Sequence, residues 1–178
     1  MNTVRDFENF DFSLLEFSEP KINQMGGQSV YMKYNNSKLQ IQTPKCYLPF
    51  GISDYKTNYG VKHNIELSLK EKETVFFQKF LESLDDIMVN QAFENNAEWF
   101  KKKLSKDVIS ELYKRTLKTH EKFPSIVKMK FPTNEKGEFA GEIYDPSGHN
   151  LVDTKTITKG CSVQVIAEAI GIYFVAKE

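Results

Sequence analysis

The sequence predicts an α+β fold in which strands, a helical block and further strands follow one another along the chain. Apolar and polar residues alternate over 30–34, 39–43 and 65–69, as is typical of half-buried β-strands. Over 77–88 the apolar residues instead recur at three- and four-residue steps, which indicates one side of an α-helix. The alternation returns after Pro124. These two changes of period divide the chain into a strand region, a helical region and a second strand region.

The first strand region begins with a predicted β-hairpin. Residues 30–34 and 39–43 flank Asn35-Asn36-Ser37-Lys38, a turn signal of loosely defined type. Prolines break the stretch that follows, so we expect residues 45–50 to form an edge strand or an extended loop. Residues 53–62 are expected to be an exposed loop, and 65–69 a half-buried strand.

The helical region is predicted to hold three helices. The apolar periodicity supports one long amphipathic helix over about 72–92 and a second, short helix within 94–104. Ser105 is a good N-cap for a third helix, because its hydroxyl can accept a hydrogen bond from the first turn.

The second strand region shows three signals. Residues 127–131 alternate so that Lys128 and Lys130 share one face of a strand. Residues 139–144 precede Asp145-Pro146-Ser147-Gly148, the sequence of a type I turn. Residues 162–175, broken by Gly171, indicate one long bent strand or two short ones.

This order predicts an OB-like antiparallel β-barrel with a helical insertion between the third and fourth strands, although it admits other α+β folds. We expect a single OB-like domain over residues 1–178. Within it, residues 1–29 are an acidic N-terminal segment and 71–118 are the helical insertion.

Composition narrows the class of protein. The chain has 178 residues, 24 basic and 24 acidic side chains, and 40% hydrophobic residues, a composition that argues against disorder. No apolar run approaches the ~18 residues of a membrane span, and the N-terminus lacks the features of a secretion signal. The two cysteines, Cys46 and Cys161, are far apart and suit a reducing compartment rather than a zinc or disulfide framework. We therefore expect an intracellular globular protein.

The zero net charge hides an uneven distribution. Residues 1–19 hold five acids against Arg5, a net charge of −4, whereas residues 20–65 hold six lysines against Asp54, a net charge of +5. A local basic field attracts a polyanion even when the whole molecule is neutral. The alternative is that these lysines only keep a strand-rich segment in solution.

The basic segment 20–65 is also rich in aromatic residues, with five of the eight tyrosines and Phe50. Interleaved lysine and tyrosine suit a single-strand binder, because lysines neutralise phosphates while rings stack on bases without reading their identity. The alternative for each ring is a core or strand-surface position, since β-strands favour aromatic residues. For the cluster as a whole we favour stacking.

The sequence holds no recognisable catalytic constellation. His63, His120 and His149 lack metal-ligand spacing, and there is no P-loop, GxGxxG or GxSxG motif. Asp85 and Asp86 are neighbours on a predicted helix, so their carboxylates point in different directions. We therefore expect neither an enzyme nor a bound cofactor or metal.

Three stretches carry a resemblance to a known family. They are residues 34–44 (YNNSKLQIQTP), 48–52 (LPFGI) and 158–163 (TKGCSV), the last leading to 171–174 (GIYF). Together they resemble, over about residues 30–175, a family of nucleocytoplasmic large DNA viruses. That family includes an African swine fever virus structural protein described as a single-stranded DNA-binding protein with an OB-like core. The resemblance implies DNA binding without assigning it to particular residues.

The hypothesis is a viral single-stranded DNA-binding protein without strong sequence preference, acting in DNA replication, repair or packaging. Its expected partners are single-stranded DNA or RNA and further copies of the chain, and no membrane. Its expected location is the viral factory in the host cytoplasm, with the virion as a further one. The predicted contact residues are Lys33, Tyr34, Lys45, Tyr47, Phe50, Tyr55, Lys56, Tyr59, Lys62, Lys128 and Lys130.

Tyr34 is the least secure of these, because strand parity places it with Val30 and Met32 toward the core. Replacing Lys45, Lys56 and Lys62 together by Glu is expected to weaken binding and flatten its salt dependence. The alternative function is a non-enzymatic virion structural or scaffolding protein. It would use Phe76, Phe77, Trp99 and Phe100 of the helical block as a protein interface.

Overall fold

The computed structural model describes residues 4–22, 27–57 and 60–174. In chain order the elements are β1 (Val4–Arg5), β2 (Leu15–Phe17), β3 (Lys21–Ile22), β4 (Gln28–Tyr34), β5 (Leu39–Gln42), β6 (Cys46–Tyr47), β7 (Ile52–Thr57), β8 (Gly60–Ser68), α1 (Val75–Glu94), α2 (Asn96–Trp99), α3 (Lys106–Leu112), β9 (Leu117–Lys118), β10 (Ile126–Lys130), β11 (Ser162–Val163), β12 (Ile166–Ala169) and β13 (Gly171–Phe174).

The elements fall into two compact units, and the chain passes between them more than once. The first unit comprises the described residues of the segments 1–43, 76–116 and 165–178. The second comprises those of 44–75 and 117–164. Each unit is therefore assembled from segments that are distant in sequence.

The first unit contains two sheets and nearly all of the helical block. In one sheet β4 is central, with β13 along one edge and β2 and β3 along the other. In the other sheet β5 lies between β12, which is antiparallel to it, and β1, which is parallel.

Helix α1 supplies much of the core of the first unit. Its twenty residues contain neither glycine nor proline, and its buried side chains recur at helical spacing, Phe77, Phe80 and Leu84 among them. The ring of Phe10, from the acidic N-terminal segment, lies 5.0 Å from that of Phe80 and 4.6 Å from that of Tyr34. The phenylalanines that separate the acidic residues near the N-terminus thus complete this core.

A buried carboxylate joins α1 to the end of the helical block. Asp85 is fully buried and accepts hydrogen bonds from Tyr113 Oη at 2.8 Å and from the Thr116 N–H at 3.0 Å. Burial, together with the adjacent Asp85 carboxylate, holds the pKa of Tyr113 well above its usual range. Next to Asp85, Asp86 accepts from Arg115 at 2.7 Å on the surface.

The second unit is built on one sheet with β8 at its centre. Strand β10 pairs with one edge of β8 and is followed by β9, while β7 and β6 both pair with the other edge and β11 follows β6. One face of the sheet is the core, where Cys46, Ile65, Leu67 and Val127 are almost completely buried. The opposite face carries longer polar side chains.

The predicted OB-like barrel is wrong. The strands of the described residues form three separate sheets, none of which closes on itself, and the β1–β5 pair is parallel. Asn35 and Asn36 make a tight turn with positive φ of 47° and 60°, as the sequence signal indicates. After that turn β4 and β5 enter different sheets, because β5 finds its partners at residues 4–5 and 166–169.

Several local predictions are confirmed and others are wrong. The long helix is present as α1, and the Ser105 hydroxyl caps α3 by accepting from the Val108 N–H at 3.4 Å. The sequence predicts a loop over residues 53–62, yet 53–57 and 60–62 are paired strand residues of β7 and β8, and 58–59 lie outside the described residues. Residues 139–144 form no strand and take part only in isolated bridges. No helix of the described residues is long and apolar enough to span a membrane.

Candidate nucleic-acid interface

One end of the β8 sheet places a tyrosine and three lysines on the same face. Tyr55 of β7 is directly opposite Lys62 of β8, and Lys128 and Lys130 of β10 are opposite Glu66 and Asn64. Directly opposite residues of an antiparallel pair share a face, as do alternate residues of one strand. The Lys128 Nζ lies 5.7 Å from the centre of the Tyr55 ring, so these side chains meet across β8.

The other end of the sheet repeats this combination. Tyr47 of β6 is opposite Ser68, and on the far side Ser68 is opposite Ile126, which is itself opposite Lys118 of β9. The Nζ of Lys70, just beyond β8, lies 3.8 Å from the centre of the Tyr47 ring. Tyrosine and lysine therefore stand together at both ends of β8.

We call this surface the lysine–tyrosine face and define it by Tyr47, Tyr55, Lys62, Lys70, Lys118, Lys128 and Lys130. Its five lysines are all exposed, Tyr55 is 39% exposed and Tyr47 is half-buried. Within the ladders that the structure describes, the positions on this face include a single carboxylate, that of Glu66. The face is accordingly basic as well as aromatic.

Two short side chains also lie on this face of β8. Asn64 and Ser68 point to this side of β8 but are only 2% and 5% exposed. The Asn64 Nδ2 donates a hydrogen bond of 3.3 Å to the Ser53 carbonyl. Glu66, between them on the strand, is half-buried, so the accessible part of the face consists mainly of the lysine and tyrosine side chains.

Three other predicted contact residues of the second unit are not placed on this face by any strand pairing. Lys45 is exposed just before β6, and Phe50 is 62% exposed at the bend formed by Gly51, whose φ is 72°. Lys56 is exposed, but it is opposite Val61 and so projects from the other face of the hairpin.

The remaining predicted residues belong elsewhere. Lys33 is exposed in the first unit, where it is opposite Glu16. Tyr34 is 7% exposed, as its strand parity predicted, and its ring contacts Phe10 rather than solvent. Tyr59 lies outside the described residues.

Sequence reasoning missed Lys70 and Lys118. Lys70 follows the same alternation as Lys62, Asn64, Glu66 and Ser68, so an extension of the strand pattern by two residues would have found it. Lys118 had no such signal, because β9 is two residues long and joins the face only through its pairing with β10.

The titratable side chains of the second unit include a histidine–aspartate pair. No group of three or more His, Cys, Asp or Glu side chains able to hold a metal occurs in the part of the chain that the structure describes. His63 Nδ1 is 2.6 Å from Asp54 Oδ1, on the opposite side of the β7–β8 hairpin from the lysine–tyrosine face. This pair forms a surface hydrogen bond between cross-strand neighbours.

The aromatic residues considered as a helical interface are mostly internal. Phe77 and Trp99 are 2% and 3% exposed, and Phe100 is half-buried against Phe174, with ring centres 4.8 Å apart. Phe76 alone of these four is largely exposed, at 61%. Within the described helices, these rings therefore build the core more than they form a surface.

The fold and this face define an α+β protein with a basic, aromatic sheet surface. The chain belongs to DUF5871, a family of unknown function, whose model matches residues 60–178. The match covers the whole of β8 and β10, which carry three of the five lysines of the face.

One relative comes from a large DNA virus. The chain is 27% identical over 132 residues to a protein named "Uncharacterized protein L291" from Acanthamoeba polyphaga mimivirus. The alignment covers 67% of this chain, and the chain spans about a fifth of the relative's length, with 21% covered. No solved structure is significantly similar to the chain. These comparisons connect the chain with large DNA viruses and assign no DNA-binding activity.

Proposed function

We propose that the protein binds single-stranded DNA without strong sequence preference through the lysine–tyrosine face. The observation that supports the proposal is the convergence of five lysines and two tyrosines on one side of the β8 sheet. We further propose that this binding serves the replication, repair or packaging of viral DNA, at the viral factory in the host cytoplasm or in the virion. The mimivirus relative supports the viral setting alone.

The charges of the face suit a phosphate backbone. Lysines that neutralise phosphates release condensed counterions, so affinity falls with salt at a slope of about −0.7 per phosphate contact on a single strand. The face has five exposed lysines and one ladder carboxylate, Glu66. If each lysine meets one phosphate, we expect a slope near −3.5.

The rings of the face suit unpaired bases. Base–aromatic stacking contributes about 1–3 kcal/mol per base and tolerates any base, since every base has a flat π-face. Tyr55 presents 39% of its surface to solvent while its hydroxyl end keeps it compatible with water. In a duplex the bases are paired and stacked on each other, so the rings favour single strands.

A structural or scaffolding role through the helical block has less support. That alternative needed an apolar surface on the helices together with buried rings in the 31–62 segment. Phe77 and Trp99 are instead buried, and Phe50 and Tyr55 are exposed. A binding role rests on the exposed rings rather than on the helices.

The test is fluorescence anisotropy of the full chain with a labelled oligo-dT of about 30 nucleotides, a length above the usual site size of such proteins. We expect binding that weakens with added salt and that an equal length of duplex displaces poorly. An RNA oligomer of the same length, added as a second competitor, measures the preference between DNA and RNA.

The matched variants are two double charge reversals. Lys128→Glu with Lys130→Glu changes the face, whereas Lys102→Glu with Lys103→Glu changes two exposed lysines of the first unit by the same amount. We expect the first pair to abolish most of the binding and the second to leave it nearly unchanged. Equal losses from both pairs, or no binding by the unmodified protein at low salt, contradict the proposal.

A further inference from the structure

The two rings of the face and three of its five lysines stand on different sides of β8. Strands β6 and β7 both pair with the edge of β8 opposite to β10. Tyr47 and Tyr55 therefore stand along one side of β8, while Lys118, Lys128 and Lys130 stand along the other, on β9 and β10. A ligand lying along β8 meets a line of rings on one flank and a line of charges on the other.

The separation of the two rings follows from the register. Tyr47 is opposite Ser68 and Tyr55 is opposite Lys62, so the two positions are six residue steps apart along β8. At about 3.4 Å per residue of an antiparallel strand, the two ring positions are roughly 20 Å apart. No single base can contact both.

An ammonium group lies over each ring. The Lys70 Nζ stands 3.8 Å from the centre of the Tyr47 ring, and the Lys128 Nζ stands 5.7 Å from that of Tyr55. Such an ammonium group adds positive charge next to any flat partner that stacks on the ring. Each end of β8 thus combines a ring with a phosphate-binding charge beside it.

Building on the function proposed above, we propose that the face is a two-ended site for one short single-stranded segment. Its end bases stack on Tyr47 and Tyr55, and its phosphates follow Lys118, Lys128 and Lys130. With nucleotides about 3.4 Å apart in a stacked strand, the roughly 20 Å between the rings corresponds to about six nucleotide steps, or about seven nucleotides. A more extended backbone spans the rings with fewer nucleotides, so about seven is the upper limit.

Oligonucleotides of different lengths distinguish binding at one ring from binding at both rings. A trimer contains two nucleotide steps, roughly 7 Å at stacked spacing, and engages one ring at a time. An octamer engages both. When one tyrosine is removed from the protein, a trimer can still stack on the other tyrosine. An octamer, which contacts both rings, loses one of its two stacking contacts.

The experiment measures competition by dT oligomers of three to twelve nucleotides against a labelled 30-mer, with the full chain. For the unmodified protein we expect affinity to rise steeply up to about seven nucleotides and slowly thereafter. Tyr47→Ala and Tyr55→Ala are each expected to lower octamer affinity by about 5- to 150-fold, the equivalent of one stacked base. Each is expected to lower trimer affinity by no more than about twofold, because one of the two positions remains.

Three variants serve as controls. Tyr47→Phe and Tyr55→Phe keep the ring and should retain the length profile, while Tyr144→Ala removes an exposed tyrosine of the same unit that is not on the face. Equal losses for trimer and octamer, or a steep rise that continues beyond about eight nucleotides, overturn the two-ended site even if the 30-mer binds. Absence of binding at every length overturns this inference and the proposed function together.

Discussion

In the second unit, the Nζ of Lys128 lies 5.7 Å from the centre of the Tyr55 ring, although β8 separates the strands that carry them. Their partners on β8 are Glu66 and Lys62, and the residue of this face between those two is Asn64, which is only 2% exposed. A charge from one flank of the sheet and a ring from the other therefore act on the same small volume. A nucleotide placed there would meet both.

Lys62 and Lys56 form a matched pair of substitutions on the β7–β8 hairpin. Lys62 is opposite Tyr55 and on the lysine–tyrosine face, whereas Lys56 is opposite Val61 and on the other side. We expect Lys62→Glu to weaken single-strand binding and to reduce the salt slope by about 0.7, the value of one phosphate contact. Lys56→Glu should leave the slope unchanged, as measured by anisotropy titrations at several salt concentrations. A larger effect from Lys56→Glu would place the interface on the opposite face.

Glu66 is the one carboxylate among the ladder positions that the structure places on this face. It is directly opposite Lys128, so it attracts that lysine and repels an incoming phosphate. We expect Glu66→Gln to strengthen oligo-dT binding by up to about fivefold, equivalent to ~1 kcal/mol. The same change should lower stability by less than about 1 kcal/mol, because it removes only one cross-strand charge pair, whose lysine is exposed. Unchanged or weaker binding at low salt would count against a phosphate path along β8.

The sequence predicts well what is set by near neighbours. The apolar spacing of α1 and the hydroxyl of Ser105 act within one or two helical turns, and both predictions are confirmed. Sheet pairing is different, because β5 joins β12 with Gln40 opposite Glu168. Alternation shows that a strand is half-buried but not which distant strand covers its edge. For that reason the sequence predicts several individual strands correctly, whereas the barrel predicted from their order is wrong.

The same limit applies to the candidate site. Alternation correctly placed Lys128 and Lys130 on one face of their strand. Asp54, Asn58 and Gly60 indicate a loop over residues 53–62, and a loop gives no parity for Lys56 or Lys62. Only the hairpin register separates those two lysines and adds Lys118, whose place depends on residues in two other strands.

Substitutions of Tyr34 test whether this aromatic residue belongs to the core of the first unit. Its ring is 4.6 Å from that of Phe10 and 4.9 Å from the Arg5 guanidinium, and it is 7% exposed. We expect Tyr34→Ala to lower the free energy of unfolding by about 3–5 kcal/mol, as for other buried aromatic rings. Tyr34→Phe should keep both the packing and the oligo-dT affinity. Trp99, the single tryptophan, lies in the same unit and reports the unfolding by fluorescence.

A loss of oligo-dT affinity in Tyr34→Phe, with stability unchanged, would contradict this assignment and return Tyr34 to the binding residues. Tyr31→Phe is the matched control. Tyr31 lies on the same strand, β4, but points outward and is 42% exposed. Neither hydroxyl is then expected to matter for binding through the second unit.

Tyr113 makes the stability of the first unit depend on alkaline pH. Burial and the adjacent Asp85 raise the pKa of the Tyr113 hydroxyl in the folded protein, whereas in the unfolded chain it titrates near 10. Above pH 10 the unfolded state loses this proton while the folded state keeps it. Stability from this group is therefore complete below pH 10 and falls by about 1.4 kcal/mol per pH unit above it.

The measurement is guanidinium unfolding followed by Trp99 fluorescence at pH 8 to 11. Tyr113→Phe should lower stability at pH 8 by about 1–3 kcal/mol, because Asp85 loses the hydrogen bond from Tyr113 Oη. It should also remove most of the decline between pH 10 and 11, so that the variant and the unmodified protein converge. Tyr31→Phe, at an exposed position, should keep the full decline. A decline of the same size in Tyr113→Phe would mean that other groups cause it and that the buried Asp85–Tyr113 contact is not its origin.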